Sequence, residues 1–265
     1  MKKIKSLIFD MDGVLWQDDK PLGNLQQIFQ EIRKDNIRYA FATNNSTRTP
    51  EEYYEKLIKL GIPSSPDLIM TSALALVKMM LQKFPKGGPV FIFGENGLIK
   101  ALNAAGFYHQ EQQVLAVVGG LDRQINYEIF KKVILLLQQN IDFYFTNIDT
   151  TFPTPLGKVP GAGSILKAIE VASGKKAITA GKPEPMMYNL AISSLKSKPE
   201  TTLVIGDRLD TDILGGIHSN CPTALVLTGI SKKEDIIEVG IEPDYIFEDM
   251  TDLVLFFSKR RWMME

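Results

Sequence analysis

The chain reads as an α/β protein built on parallel sheet, and three observations predict it. Short apolar runs bounded by turn residues recur along its length. They alternate with longer segments whose apolar residues fall at helical spacing. The runs lack the polar alternation of half-exposed strands, as strands covered on both faces do. Strands alternating with helices in this way imply a parallel sheet with helical crossovers. At 265 residues the chain can hold one large domain or two modest ones, and 45% hydrophobic with 23% charged residues is the composition of a globular protein with a real core.

The elements follow in order. Leu7, Ile8 and Phe9 form a strand that stops abruptly at Asp10. Leu25, Ile28, Phe29 and Ile32 share one face of an amphipathic helix. RYAFAT is a strand ending at Thr43. Thr49 and Glu52 form a capping box around Pro50 at the first helical position, and Gly61 closes that helix. Helices are predicted in TSALALVKMMLQ, ENGLIKALNAAG, NYEIFKKVILLLQQN, GSILKAIEVASG, EPMMYNLAISSL and TDILGGIHS. Strands are predicted in PVFIFG, LAVVGG, DFYFTN, KAITAG, TTLVIGD, TALVLTG and DYIFED. There is no internal repeat, and the best seam is KFPKGGP, where Pro85, Gly87, Gly88 and Pro89 cluster.

Several function classes drop out early. A net charge of −1 gives no reason to expect a nucleic-acid or membrane-surface partner. One cysteine, Cys221, excludes a disulfide framework and suits a reducing cytoplasm. The apolar part of MKKIKSLIFD is only about four residues, too short for the roughly 7–15 of a signal-peptide core. No apolar stretch approaches the ~18–20 residues of a membrane span. The tail KRRWMME reads as a frayed helix end rather than a membrane anchor. A cytoplasmic globular protein is expected.

The chemistry lies at strand ends. Asp10 and Asp12, in LIFDMDGVL, are two carboxylates one residue apart beyond a buried strand. An unpaired buried charge is costly, and two carboxylates repel unless a cation lies between them or one holds a proton. The pair therefore suggests a hard-metal site, an acid/base pair, or both; alone, it also fits an ordinary acidic turn. RYAFAT delivers Thr43, with Asn44 and Asn45 behind it. AITAG delivers Lys182, and TTLVIGD delivers Asp207 with Asp210 and Asp212 following. Ligands of open α/β sheets bind beyond these carboxyl ends. Acid pair, hydroxyl with amides, lysine and acid cluster together match what phosphoryl transfer needs: a nucleophile, a hard cation and donors for the equatorial oxygens.

The motifs FDMDGVL, FATNNS, GKPEP and GDRLDTDI, in this order, resemble the four signature motifs of the haloacid dehalogenase (HAD) superfamily. The long spacing from Thr43 to Lys182 resembles its NagD-like, or 4-nitrophenylphosphatase, branch. The similarity runs from about residue 4 to about residue 250 and includes KVPGAGSILKAIEVASG and VLTGISKKEDI. It implies a Rossmann-like core with an inserted α/β cap of the C2 type. Leu15 to Thr43 is too short to hold a domain, so the cap is placed at residues 84–177 and the core at 1–83 and 178–265.

Chemistry and resemblance together assign roles. Asp10 is the nucleophile, giving an aspartyl-phosphate. Asp12 protonates the leaving oxygen and then deprotonates water. An acid there, rather than Thr, favours a hydrolase over a lasting phosphoenzyme. Mg²⁺ would be held by Asp10 and Asp207, with the backbone carbonyl of Asp12 as the resemblance implies. Thr43 and Lys182 hold the phosphoryl oxygens, assisted by amides around Asn44 and Asn45. Asp212 orients a metal-bound water or Lys182. Arg208 and Asp210 are left as solvated loop charges. In the cap, Asn147 and Asp149 of FTNIDTTFPTP, a polar loop, are candidates for specificity, with Phe152 as an apolar wall; the same residues equally fit the shaping of a Pro-rich turn.

Other features read plainly. GAGSIL has Leu166 where a dinucleotide loop needs its third Gly, so it starts a cap helix. Gly181-Lys182 lacks the upstream Gly of a P-loop. His109 is placed in a cap loop and His218 on a helix face, neither beside a partner for catalysis. Cys221 is a small buried residue, and Trp16 either borders the mouth of the site or packs a loop, with loop packing favoured.

The expected function is a Mg²⁺-dependent phosphatase acting on small phosphorylated metabolites such as sugar phosphates, nucleotides or pyridoxal phosphate, with 4-nitrophenyl phosphate as an artificial substrate. The alternatives are a phosphomutase using the same acid pair, or a non-catalytic phospho-ligand-binding regulator on the same fold. Homodimerisation through the cap is a further expectation from the resemblance.

Overall fold

A computed structural model describes residues 3–263, and the chain divides into two compact units. The first runs through Thr43, takes in Pro50–Met70 and resumes at Lys182; the second comprises Asn44–Thr49 and Thr71–Gly181.

The first unit is built on a sheet ordered Tyr245–Phe247, Thr223–Val226, Thr202–Gly206, Ser6–Phe9, Arg38–Thr43 and Ile69–Thr71. Ser6–Phe9 lies at its centre, parallel to both neighbours, with Phe9 opposite Ile205 and Phe41. All four of its residues are buried, which is why the run shows no polar alternation. The chain fills the sheet outward on one side of this strand, then on the other. The order reverses between Ser6–Phe9 and Thr202–Gly206, the kind of switch point where α/β sheets open a crevice.

Local sequence explains the flanking helices. Leu25–Lys34 starts at Asn24, whose side chain accepts the Gln27 amide at 3.2 Å, and ends on Arg33 and Lys34, opposite in sign to the helix terminus. Its buried face is Leu25, Ile28, Phe29 and Ile32, as the spacing predicts. Phe29 meets Tyr39 edge-on at 4.9 Å between ring centroids, within the core shared by Phe9 and Phe41. A helix also begins at Pro50, and Gly61 follows it at φ +75°. The segment TDILGGIHS departs from expectation. A π-helical turn, Leu209–Ile213, precedes a short helix, Leu214–His218. The chain end departs too, because it is packed rather than frayed. After the helix Met250–Lys259, Trp262 is 1% exposed, stacks on Phe257 at 5.5 Å and donates its indole N–H to Asp35 at 2.7 Å. Met264 and Glu265, in the same tail, and the basic start at Met1 and Lys2 lie outside the described residues.

The second unit has its own parallel sheet, ordered Ile178–Thr179, Asp142–Phe145, Ala116–Gly119, Gly88–Phe93 and Phe107–His109. Its core gathers Phe91, Phe93, Val117, Leu137, Phe145 and Leu166. GAGSIL does open a helix, Ala162–Ser173, closed by Gly174 in the left-handed conformation. The polar loop expected in FTNIDTTFPTP is in part an antiparallel hairpin, Thr151–Thr154 with Gly157–Pro160. His109 ends a strand rather than lying in a loop, and its Nδ1 accepts the Ile92 amide at 3.0 Å.

The division between the units falls at 70/71 and 181/182 rather than at the expected 83/84 and 177/178. Helix Ser72–Lys83 packs on helix Asn96–Ala104, and strand Ile178–Thr179 pairs with Asp142–Phe145. KFPKGGP is therefore a turn inside the second unit. Residues 44–49 join it through Gly97 N–H to Thr47 O at 3.0 Å and Ser72 Oγ to Asn44 O at 2.6 Å. Among the described residues, no helix is long and apolar enough to cross a membrane.

Candidate active site

Three adjacent strands of the first unit set out the central groups. Asp10 follows Ser6–Phe9, and its amide donates to Ile205 O at 2.8 Å, so it leaves the sheet beside the start of the Asp207 loop. Thr43 closes the strand on the other side. Lys182 is the first residue of the chain's return to this unit. Its Nζ is bonded to Asp10 Oδ1, to Asp212 Oδ1 at 2.6 Å and to Ala42 O at 3.1 Å. Lys182 and Asp212 are almost fully buried.

Three carboxylates surround that one ammonium: Asp10, Asp207 and Asp212 can each bring an oxygen within 4.8 Å of the others. The imbalance shows in their acidities. Burial pushes the Asp10 carboxyl well above its ordinary range; Lys182 opposes that, while Asp212, Asp207 and Asp12 reinforce it. Burial and then the Asp212 charge push Asp207 up to about 7. Burial alone would lower the Lys182 ammonium, yet Asp10 and Asp212 hold it above its usual range.

Asp207 is held in a cradle. Its Oδ2 accepts the Ile230 amide at 2.7 Å, and its carbonyl accepts the Ser231 amide at 3.0 Å. A Cβ on Gly13, which sits at φ +86°, would approach Oδ2 to 2.5 Å, and Gly229 lies equally hard against the carboxylate. Side chains are excluded at both positions. Asp207 Oδ1 is buried with no hydrogen-bond partner. A buried carboxylate oxygen left bare beside two further carboxylates fits a small, hard cation. Asp10 and Asp207 would hold it, with Asp212 behind them bonded to Lys182 and, through Oδ2, to the Arg208 amide at 3.2 Å.

Asp12 stands apart from this cluster. It is exposed, and its Oδ1 accepts the indole N–H of Trp16 at 2.8 Å. The sequence weighed Trp16 at the mouth of the site and favoured loop packing, and it gave the loop Thr228–Ser231 no role. An aromatic residue in an apolar run looks like core, but the loop stretch VLTGIS was visible as one that the resemblance includes. Tyr188 was missed as well; its buried hydroxyl donates to Asp212 O at 3.3 Å. Arg208 pairs with Asp210 at 3.0 Å on the exposed side. His218 Nδ1 lies 3.0 Å from Pro183 O, and buried Cys221 has its thiol pushed up to about 12, chiefly by burial.

The remaining singled-out residues belong to the second unit. Asn44, Asn147 and Asp149 share one network there. Asn44 Nδ2 donates to Asp149 Oδ1 at 3.0 Å, Asn147 Nδ2 to Asn44 O at 2.8 Å, and the Asp149 amide to Asn147 Oδ1 at 3.1 Å. Asn147 is buried, and both ends of its amide are used in holding backbone. Asn45 Oδ1 accepts from Thr47 N at 2.9 Å and Thr47 Oγ1 at 2.8 Å, closing a turn. Phe152 is half-buried in the hairpin.

A buried lysine among carboxylates at the reversal of a parallel sheet defines a class: an α/β fold with a candidate active site at its switch point. Comparison with known proteins narrows it. Residues 7–108 match the family model for haloacid dehalogenase-like hydrolases, and residues 179–253 match a second, HAD-hydrolase-like model. An acid sugar phosphatase of Staphylococcus saprophyticus is 33% identical over 98% of this chain and 100% of its own length, and one from Staphylococcus aureus matches to the same extent. The crystal structure of a 4-nitrophenylphosphatase from Thermotoga maritima superimposes with TM-score 0.89 at 32% identity, covering 95% of this chain and 97% of that one. NagD from Escherichia coli K-12 gives 0.86 at 28%, covering 95% and 98%. The chain belongs to the haloacid dehalogenase-like hydrolases, in the branch that contains NagD and the 4-nitrophenylphosphatases.

Proposed function

We propose that the protein is a Mg²⁺-dependent phosphatase of small phosphate monoesters, with sugar phosphates the first class to test. The observation that carries this reading is the buried group of Asp10, Asp207, Asp212 and Lys182, in which Asp207 Oδ1 has no partner. The named activity of the staphylococcal relatives, acid sugar phosphatase, supports the substrate class.

The residues divide the work between two steps. Asp10 attacks phosphorus; the bond to the leaving oxygen breaks as the Asp10–phosphorus bond forms, and that oxygen takes a proton from Asp12. Water then attacks the same phosphorus, Asp12 takes its proton, and Asp10 is released with inorganic phosphate. Lys182 and Thr43 hold the non-bridging oxygens, assisted by amides around Asn44 and Asn45. Asp10, Asp207 and the carbonyl of Asp12 would hold Mg²⁺, which when bound would supply charge neutralisation for the phosphoryl oxygens. Asp212 keeps Lys182 in place. Asn147 and Asp149 remain candidates for specificity. The expected setting is the cytoplasm, with small phosphorylated metabolites as the partners and a homodimer through the cap.

The test is phosphate release from a panel of phosphorylated metabolites and 4-nitrophenyl phosphate, with Mg²⁺ and with EDTA, beside an Asp10→Asn control. Mg²⁺-dependent release that the substitution abolishes is expected. Isomerised sugar phosphate without free phosphate would point to a mutase instead, and no release from folded, metal-loaded protein would point to a binding role.

A further inference from the structure

Trp16 is 1% exposed, and loop packing accounts for its ring but not for the target of its N–H. A buried indole N–H needs an acceptor, and this one is given to Asp12 Oδ1 at 2.8 Å. The backbone between the two residues is tied tightly. Gly13 N–H bonds to Trp16 O at 2.7 Å, Leu15 N–H to Met11 O at 2.8 Å and Trp16 N–H to Met11 O at 3.3 Å. Lys56 Nζ sits 4.2 Å from the Trp16 ring centroid and is itself fixed on Asp18 O at 2.9 Å. A cation on the ring face draws density from the indole and makes its N–H a stronger donor.

We propose that Trp16 is a positioning residue that determines which oxygen of Asp12 transfers the proton; this rests on the phosphatase reading above. An indole N–H can only donate. The Asp12 oxygen that accepts it is therefore occupied as an acceptor, which leaves Oδ2 as the oxygen through which a proton passes. Proton delivery to the leaving oxygen, and its recovery from water, both run through Oδ2 of a carboxyl whose rotation Trp16 blocks.

The test uses leaving groups. An alkyl phosphate must have its leaving oxygen protonated, whereas 4-nitrophenolate departs as a stable anion. Trp16→Phe keeps the ring and removes the N–H. It is expected to lower kcat/KM for a sugar phosphate at least about tenfold more than for 4-nitrophenyl phosphate, within the ~10²–10⁴-fold that general acid catalysis supplies. Equal losses on both esters, or none on either, would overturn the proposal. A second measurement stands if that variant does not fold. The chain has two tryptophans, so a ¹⁵N–¹H spectrum shows two indole signals. Asp12→Ala, which removes the acceptor oxygens, is expected to move one and Asp35→Ala the other, the acceptor of Trp262. An Asp12→Ala spectrum with both indole signals in place would overturn it. Failure of the phosphatase reading is distinguishable, because then the wild-type protein hydrolyses neither ester while the spectral test still reports on the hydrogen bond.

Discussion

Asp207 concentrates the physics of the site. Gly13, Gly229 and the Ile230 amide fix its carboxylate, and burial with the Asp212 charge raises it to about 7 while one oxygen stays bare. Asp207→Asn should raise the Mg²⁺ concentration needed for half-maximal activity by about tenfold or more, without lowering the metal-free melting temperature, since a buried repulsion is removed with the charge. An unchanged Mg²⁺ titration would contradict the ligand role. A pH effect follows with a definite sign. The folded Asp207 carboxyl keeps its proton up to about pH 7, whereas in the unfolded chain it loses it near the ordinary 3.8. The folded state binds more protons across that window, so this group subtracts stability as pH rises through it. A cation binds the ionised form, so the rise in melting temperature on adding Mg²⁺ should grow from about pH 5 to about pH 8. A rise that is flat or shrinks with pH would contradict this. Residues at this scale were legible when an apolar run stopped on a charge, as at Asp10 and Asp207. Trp16 was not, because sequence shows an aromatic side chain without showing where its N–H points.

Elements were legible where one face or both faces are apolar. Ser6–Phe9 and the helix Leu25–Lys34 are of this kind. The hairpin Thr151–Pro160 was not, since Pro153, Pro155 and exposed Thr151 carry turn signals and no residue of it is fully buried. The chain end misled for a different reason. KRRWMME was expected to be a frayed helix end, but Trp262 anchors the last turn through Phe257 and Asp35. Trp262→Ala should destabilise the protein by about 3–5 kcal/mol, as for other buried aromatic truncations; denaturant melts measure it. A loss below about 1 kcal/mol would restore the frayed reading.

Each unit carries a hydrophobic core of its own, and the first adds a smaller cluster of Leu209, Ile213 and Leu225. The sequence showed that an insertion exists but not its edges. The composition break at KFPKGGP is a turn, and the edges are set by the packing of helix Ser72–Lys83 and the pairing of strand Ile178–Thr179. Asp10, Asp207 and Asp212 all lie in the first unit, so a cation that binds folded protein stabilises that unit. In scanning calorimetry, Mg²⁺ should raise the transition that Leu203→Ala weakens more than the one that Leu137→Ala weakens. Equal shifts of both would show a single cooperative unit.

The most direct test of covalent catalysis by Asp10 is rapid quenching of the protein with ³²P-labelled substrate, followed by mapping of protein-bound phosphate. A hydroxylamine-sensitive label on the peptide carrying Asp10, absent from Asp10→Asn and accumulating in Asp12→Asn, is the predicted result. Label on another residue, or full turnover by Asp10→Asn, would contradict it.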